Sequence, residues 1–194
     1  MDTTICLVRH GETIANHEGR LQGRETRPLT ELGRRQSQWC ANFLARYEWD
    51  VIATSPTRRA HDSALIVTHR VGLAHVEVMA EFEAREPGAA YQLTVEERAR
   101  SFPNGNIPGA EPRPVVQERA MRGMHHLIAR HTGKRLILVS HREVLHLIFA
   151  AITNGALGTG RTKLASGSAS LVHYRDGVWE VEWYNGVGHL EALT

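Results

Sequence analysis

Two histidines and two arginines in this chain have the side chains that phosphoryl transfer requires. Arg9 and His10 follow directly after the apolar run "TICLV", and His141 follows the apolar run "LILVS". Arg59 lies at the start of a helical pattern, shortly after the run "DVIATS". A neutral imidazole nitrogen can attack phosphorus, and guanidinium groups bind phosphate oxygens by charge-assisted hydrogen bonds. The sequence therefore predicts a phosphate site with His10 as nucleophile, where Arg9, Arg59 and His141 hold the oxygens.

Short apolar runs and helical patterns alternate along the chain. They predict strands and helices, in chain order, at 4–8, 28–47, 50–55, 58–72, 75–79, 115–131, 135–141 and 142–153. Residues 168–185 predict a hairpin around the turn "RDG". This order predicts an α/β fold with a mostly parallel sheet and an antiparallel edge. Because ligands bind beyond the carboxyl ends of such strands, we expect the four side chains to meet at one edge.

Capping residues and apolar spacing set the expected helix boundaries. Thr30 is predicted to cap the first long helix, the next is predicted to end at Gly72, and the last at Gly155. The apolar residues of the first long helix that recur at helical spacing are Leu32, Trp39, Phe43 and Leu44. Gly11, next to the nucleophile, is expected to let the backbone approach the phosphate where a Cβ would clash.

Length and composition limit the classes of protein. The 194 residues are predicted to form one domain over 1–194. A formal net charge of +2 gives no reason to expect nucleic acid as a partner, and no apolar run approaches the roughly 20 residues that span a membrane. Cys6 and Cys40 lie in apolar or helical patterns, so we expect buried free thiols in a reducing, cytoplasmic compartment. Nothing in the composition implies a cofactor.

Residues 80–118 are expected to form a lid above the sheet. They are irregular, and 102–114 contains four of the seven prolines. The segment is rich in arginine, which would suit a cationic mouth, but the acidic residues interleaved with the arginines favour a solvated lid. The leaving oxygen of a phosphate ester needs a proton, which Glu81, Glu83 or Glu86 could supply just after the third strand.

The same residues lie in motifs that resemble one known family. "LVRHGET", followed by Asn16, resembles the signature of the histidine phosphatase superfamily, also called phosphoglycerate-mutase-like. "GRLQGRETRPLTELGRRQ", "SPTRRAHDSA", "LILVSH" and "YNGVGHL" resemble further motifs of its bacterial phosphatase and α-ribazole-phosphatase-like branch. The resemblance therefore covers nearly the whole chain.

The resemblance implies a three-layer α/β/α fold, no metal, and a phosphorylated His10. Arg9, Arg59 and His141 would form the phosphate pocket, and Asn16 would contribute to it. The family acid usually follows the third strand in a Leu-x-Glu pattern, which "Met79-Ala80-Glu81" fits best, so the resemblance implies Glu81 as the catalytic acid. Chain spacing from Arg59 suits Glu83 nearly as well.

The chain also departs from the family pattern. Arg142 and Glu143 stand where the family commonly has small glycines, and they could narrow the pocket mouth or contact substrate. Thr26 replaces an aspartate, Asp62-Ser63 replace a Gln-Thr pair, and a glycine-tryptophan stretch after the acid is missing. These departures put the lid and the substrate class in most doubt.

We expect a metal-independent phosphatase that acts on a small phosphorylated metabolite. A phosphoglycerate mutase is the first alternative, although mutases of the family tend to be longer, with a larger insertion. A non-catalytic module that binds a phosphorylated ligand is the second, although it predicts the loss of His10, Arg59 or His141. The hairpin at 168–185 could pair two copies into a homodimer, or it could be an ordinary sheet edge.

Overall fold

A six-stranded mixed sheet forms the middle layer of the protein. The computed structural model describes residues 2–25, 27–158 and 162–193, so Thr26 lies outside the described residues. The strands are β1 (Thr3–Arg9), β2 (Val51–Thr54), β3 (Glu77–Val78), β4 (Arg135–Ser140), β5 (Ala169–Arg175) and β6 (Val178–Gly186). Their order is β3-β2-β4-β1-β5-β6. The first four run parallel, and β5 is antiparallel to both of its neighbours, which confirms the parallel core with an antiparallel edge.

Helices cover both faces of this sheet. The α-helices are α1 (Ile14–His17), α2 (Glu31–Leu44), α3 (Arg58–Val71), α4 (Val95–Ser101), α5 (Arg113–Arg130) and α6 (Arg142–Ile152). Short 3-10 turns lie at Ala80–Phe82, Gly88–Ala90 and Gly188–Leu193. Helices α2 and α3 pack on one face and α5 and α6 on the other, which confirms the three-layer α/β/α architecture. In the part of the chain that the structure describes, no helix is long and apolar enough to cross a membrane.

Alternating side chains of the central strands explain the two cores. On β1, Ile5 and Leu7 join the core under α5 and α6, whereas Cys6 and Val8 join the core under α2 and α3. Strand β4 alternates in the same way. Successive side chains of a strand point to opposite faces, so a strand that is buried on both faces is a nearly continuous apolar run. This is why the runs at 4–8 and 135–141 predicted their strands closely.

Cys6 on β1 and Cys40 on α2 both lie in the core between the sheet and helices α2 and α3. Both are free thiols and fully buried, as expected from the sequence. Burial raises the pKa of both, to about 12 for Cys40. A thiol with so high a pKa stays protonated and unreactive at neutral pH.

Several boundaries differ from the sequence predictions. Helix α6 ends at Ile152 rather than near Gly155, because the Thr153 hydroxyl donates to the Phe149 carbonyl and the chain then turns. The third strand has only two residues, Glu77–Val78, because it pairs only with Ala53 and Thr54 at the end of β2. Thr30 does cap α2, and α3 does end before Gly72, whose φ of 77° is left-handed.

The buried face of α2 is not the one that the large apolar residues suggested. Leu32 and Trp39 are 38% and 37% exposed, whereas the residues turned to the sheet are small: Gly33, Ser37, Cys40 and Ala41, together with Leu44. Small side chains allow α2 to lie close to the loop after β1. The apolar spacing therefore predicted the helix, but it does not identify the buried face.

The region 80–118 contains a helix that the sequence analysis missed. Helix α4 begins with a capping box, in which Thr94 and Glu97 bond each other's backbone N–H groups. The sequence "TVEE" carries this signal. The proline-rich stretch is irregular between α4 and α5, and α5 begins at Arg113, inside the range that was predicted to be loop.

Candidate active site

His10 follows β1 and is almost completely buried, at 3% exposure. Its Nδ1 lies 2.6 Å from the Gly11 carbonyl oxygen. A carbonyl only accepts, so Nδ1 carries the proton and, in the neutral ring, Nε2 keeps its lone pair. Burial, followed by the charges of Arg59 and Arg9, lowers the pKa of His10 well below its ordinary value. The ring is therefore neutral at pH 7, with a nucleophilic Nε2.

His141 lies beside His10 because β1 and β4 are parallel neighbours. Arg9 pairs in register with Ser140, so the residues that follow the two strands sit side by side, and their ring centroids are 5.2 Å apart. The His141 Nε2 lies 2.8 Å from both the Ser55 and the Thr57 hydroxyl oxygens. Its Nδ1 is buried and has no hydrogen-bond partner among the described residues.

The neutral His141 ring can donate a hydrogen bond to a bound anion. Burial, then the charge of Arg59, lowers the pKa of His141 well below its usual value. If a hydroxyl donates to Nε2, the single ring proton is on Nδ1, the atom without a partner. Thr57 is the N-cap residue of α3 but makes no capping bond with its side chain, which bonds His141 instead.

Arg9 and Arg59 bring two buried positive charges to the same place. Arg9 donates from Nη1 to the Leu164 carbonyl at 2.5 Å, and Arg59 donates from Nη2 to the Gly23 carbonyl at 2.8 Å. Burial is the main cause that lowers the pKa of each to about 10, so both stay protonated at neutral pH. The Nε of each is buried without a partner among the described residues.

The unpartnered donors of this cluster indicate an anion site. Buried polar groups are nearly always hydrogen-bonded, and leaving one unpaired costs roughly 1–3 kcal/mol. Here Arg9, Arg59 and His141 each have one buried nitrogen without a hydrogen-bond partner among the described residues. The first turn of α6, whose N-cap is His141, adds the positive end of a helix dipole. A compact dianion would satisfy all of these groups together.

Gly11 has a reason to be glycine that the sequence did not suggest. A Cβ on Gly11 would lie 2.1 Å from the Gly33 carbonyl oxygen, and a Cβ on Gly33 would lie 2.1 Å from the Glu12 carbonyl oxygen. The close approach is therefore between the loop after β1 and the first turn of α2. Glycine therefore avoids a clash with the backbone of α2, and the approach of Gly11 to a bound phosphate stays a prediction.

Side chains behind the nucleophile hold its loop. The Gly11 N–H donates to the Ser63 hydroxyl at 3.1 Å, and Ser37 donates to the same oxygen at 3.0 Å. The Glu12 N–H donates to the side-chain oxygen of Gln36 at 2.8 Å. Ser63 is one of the two departures from the family pattern on α3, and its partner in that pair, Asp62, forms an ion pair with Arg58. Sequence reasoning gave no role to Ser37, Gln36 or Ser63, although Gln36 and Ser63 lie within the motifs quoted above.

Asn16 lies on α1, the short helix that follows the nucleophile loop. Its Oδ1 accepts from the Thr13 N–H at 3.2 Å, and its own N–H donates to the Thr13 hydroxyl at 3.3 Å. This capping box fixes the side chain through Oδ1, so the amide Nδ2 is the atom that can reach an anion.

The three glutamates proposed from the sequence have different surroundings. The Glu81 carboxylate lies 3.3 Å from His126 Nδ1 on α5, and Glu83 lies 3.2 Å from Arg24 Nε. The Glu86 carboxylate accepts from the Gly88 N–H at 3.3 Å. Phe82 is fully buried and could take the leucine position of the Leu-x-Glu pattern instead of Met79. The acid position would then fall on Ala84, which has no carboxyl group.

A fourth carboxylate, Glu25, lies beside Arg59. Its Oε2 accepts from the Gly23 N–H at 2.7 Å, and the Gly23 carbonyl accepts from Arg59. Its Oε1 is buried without a partner among the described residues. Glu25 is also the charge that most raises the pKa of Arg59, against the larger effect of burial. No sequence pattern pointed to this residue.

Comparison with known proteins agrees with this geometry. Residues 5–186 match the model of the histidine phosphatase superfamily (branch 1). The chain is 31% identical over 191 residues to the uncharacterized phosphatase PhoE of Bacillus subtilis, covering 98% of each chain. It is 31% identical over 204 residues to a metal-independent phosphoserine phosphatase of Arabidopsis thaliana, covering 98% of this chain and 84% of that one.

A solved structure shows the same architecture. YhfR of Bacillus stearothermophilus superposes with a TM-score of 0.89 at 27% identity, covering 97% of this chain and 100% of that one. The order of strands, the two histidines at the ends of β1 and β4, and the match over residues 5–186 agree with one another. The chain belongs to the histidine phosphatase superfamily.

Proposed function

We propose that this protein hydrolyses phosphate monoesters of small metabolites through a phosphohistidine on His10. The observation that carries the proposal is the Nδ1 bond to the Gly11 carbonyl, which leaves Nε2 of a neutral imidazole as the free nucleophilic atom. Arg9, Arg59 and His141 act on or lie beside His10, and each has a buried nitrogen without a partner among the described residues. The phosphatases among its relatives support the same reaction class.

The reaction takes two steps. His10 Nε2 attacks phosphorus, the N–P bond forms, and the P–O bond to the leaving group breaks with a proton delivered to that oxygen. Water then attacks phosphorus in the phosphohistidine, gives its proton to the acid that has just been deprotonated, and releases inorganic phosphate. Catalysis of such transfers depends mainly on positioning and on charge stabilisation.

The residues around His10 have separate tasks in this proposal. Arg9 and Arg59 bind the equatorial phosphate oxygens, His141 donates from Nδ1, and Asn16 donates from Nδ2. Segment 80–118 acts as the lid, since α4 and the start of α5 form part of the wall of the cleft beside the site. We place the enzyme in the cytoplasm because its two free cysteines suit a reducing compartment. Pairing of two copies through the β6 edge stays a prediction.

Metal independence gives the first test. We expect the purified protein to hydrolyse p-nitrophenyl phosphate at the same rate with and without EDTA, because all of the proposed phosphate ligands are side chains. Vanadate should inhibit competitively, since it adopts the five-coordinate geometry of the transition state. A rate that collapses in EDTA and returns with a divalent cation would contradict the mechanism. Interconversion of phosphoglycerates without release of phosphate would favour a mutase.

The proton donor is proposed to be Glu25. Glu81 would first have to leave His126, and Glu83 would have to leave Arg24, whereas Glu25 already lies next to Arg59 with one unpaired buried oxygen. A phosphate ester bound to Arg59 would lie beside the Glu25 carboxyl group, where a proton donor for the leaving oxygen is needed.

Substrates whose leaving groups differ in their need for a proton can show which of Glu25, Glu81 and Glu83 is the donor. In Glu25→Gln we expect turnover of an alkyl phosphate to fall by about 100-fold, the lower range for a general acid. Turnover of p-nitrophenyl phosphate should fall far less, because nitrophenolate leaves without a proton. Glu81→Gln and Glu83→Gln are the matched variants, measured on both substrates. If the selective loss on alkyl phosphates occurs in one of them instead, that residue is the donor and the assignment to Glu25 is wrong.

A further inference from the structure

A cleft of about 930 Å³ opens beside the phosphate pocket, between α4, α6 and the loop before β5. Two residues join the cleft to the pocket. Leu164, in its wall, accepts the hydrogen bond from Arg9, and Arg142 directly follows His141. This volume is near the upper end for small-molecule sites and far exceeds a phosphoryl group. The cleft therefore has room for the rest of a substrate whose phosphate is bound at His10.

The charged side chains in the wall of the cleft are mostly cations. They are Arg98, Arg113, Arg142 and Lys163, against the single carboxylate of Glu143. Glu143 is already paired, with Arg113 at 2.9 Å and with Arg85 at 3.3 Å. By contrast, the side chains of Arg98, Arg142 and Lys163 have no ion pair or hydrogen bond to any residue that the structure describes. The cleft thus carries positive charge without internal compensation.

Arg142 directly follows His141 in the sequence, and among the cations of the cleft it is the one whose charge acts on the nucleophile. Its charge contributes to the lowered pKa of both Arg9 and His10, so its field reaches the reaction centre. It also stands where the family commonly has glycine, so this charge is a property of this chain rather than of the common phosphate pocket. A substrate that fits here gains from an anionic group placed against Arg142.

His146 supplies a neutral polar group in the same wall. Its Nε2 is buried and has no partner among the described residues, and burial, followed by the charge of Arg142, lowers the pKa of this residue to about 4. The ring is neutral at pH 7, so Nε2 can bond a polar atom of a ligand without adding charge. Apolar residues, Leu21, Val95, Leu147 and Val187, complete the wall and suit a carbon skeleton.

We propose that the substrate is a phosphate monoester with a second anionic group, a carboxylate or another phosphate, at the far end of a short carbon skeleton. Arg142 binds this group, with Lys163 and Arg98 beside it. The inference rests on the proposed phosphatase function and narrows its substrate class. Charge-assisted hydrogen bonds are stronger than neutral ones, so the second anion should improve kcat/KM by about 10-fold or more.

Matched pairs of probes test this directly. Phosphate release is measured with hexyl phosphate and with ω-phosphonooxyhexanoate, which differ by the terminal carboxylate, and with shorter pairs of the same design. We expect the wild-type protein to prefer the carboxylated member of at least one pair by about 10-fold or more. Arg142→Gln should reduce this ratio to a few-fold, and Lys163→Gln should reduce it to a lesser extent. Lys163→Gln also serves as the second variant if Arg142→Gln does not fold.

The matched control changes the same charge elsewhere. Arg70 lies near the end of α3, about 16 Å along the helix axis from Arg59, and its side chain bonds Asn42 on the exposed surface. Arg70→Gln should leave the ratio between the two probes unchanged. A similar fall in that variant would show a general effect of net charge, and the inference would be wrong.

The possible results distinguish the inference from the proposed function. Absence of hydrolysis with every probe overturns the phosphatase proposal itself. Hydrolysis of both members of each pair with equal kcat/KM leaves a phosphatase but overturns the second-anion site. A preference that survives in both Arg142→Gln and Lys163→Gln, or equal losses on both probes in Arg142→Gln, also overturns it, since Arg142 would then not bind the second anion.

Discussion

Replacing His10 with alanine will abolish phosphatase turnover, with an expected loss of at least about 10⁴-fold, comparable to the removal of a nucleophile in other hydrolases that form covalent intermediates. The reason is that the Nδ1 of His10 is held by the Gly11 carbonyl, whereas its Nε2 has no hydrogen-bond partner among the described residues. Steady-state release of phosphate from p-nitrophenyl phosphate measures the loss. Quenching in alkaline detergent with a radiolabelled phosphate ester should trap a base-stable, acid-labile phosphoenzyme in the wild-type protein and none in the variant.

His125→Ala is the control for this variant. His125 is exposed on α5, outside the cluster around His10, so its loss should leave turnover unchanged. If His10→Ala keeps a rate close to that of the wild type, the nucleophile is elsewhere and the reaction described above is wrong.

The same variant should change how stability depends on pH. Burial and nearby arginines lower the pKa of folded His10 and His141, whereas in the unfolded chain both titrate near 6.5. Below pH 6.5 the unfolded state therefore binds more protons, and the free energy of unfolding decreases as the pH falls, by at most about 1.4 kcal/mol per pH unit for each histidine. His10→Ala removes one contribution, so urea unfolding between pH 7 and pH 5 should show a shallower decrease.

Replacing Arg59 with glutamine should reduce kcat by about 100- to 1000-fold, the usual loss when one donor to a developing anion is removed. Arg59 is 2% exposed, is fixed by the Gly23 carbonyl, and has an unpaired Nε among the described residues. Glutamine keeps part of the volume but removes the charge and the planar fork. Vanadate binding should weaken in parallel, because the same donor binds the transition-state analogue.

The neighbouring residue provides a close control for that experiment. Arg58 begins the same helix, but it is more than half exposed and forms an ion pair with Asp62 on the next turn. Arg58→Gln changes the net charge by the same amount one residue away and should leave kcat nearly unchanged. Equal losses in the two variants would show that the effect is one of overall charge and would contradict the role of Arg59.

The sequence predicted the site best where chemistry follows directly from strand ends. His10 and His141 were expected to meet because each follows an apolar run, and the register between β1 and β4 brings them side by side. Arg59 was expected there because it opens a helix after β2. In each case a continuous apolar run locates a strand of the parallel sheet. The site residue lies a few positions after that run, so its place at the end of the strand can be read from the sequence.

The acid and the close backbone contact could not be predicted in this way. Glu81, Glu83 and Glu86 lie within six residues, and the choice among them depends on loop geometry that no periodic pattern encodes. Glu25 lies near the site only because the chain folds back, so that the Gly23 carbonyl accepts a hydrogen bond from Arg59. The reason for Gly11 depends on Gly33, in a different element, and a contact between two backbones leaves no trace in hydropathy.

The two buried cysteines have a consequence for how such an enzyme would withstand oxidants. Phosphatases that use a thiolate nucleophile lose activity when peroxide oxidises it, because a reactive thiolate is by nature easily oxidised. In the mechanism proposed for this protein the nucleophile is an imidazole, and both thiols of the chain are fully enclosed between β1 and α2 with raised pKa values. Oxidants would therefore reach the cysteines only after the chain unfolds. The unfolding rate would then determine how well the enzyme resists peroxide.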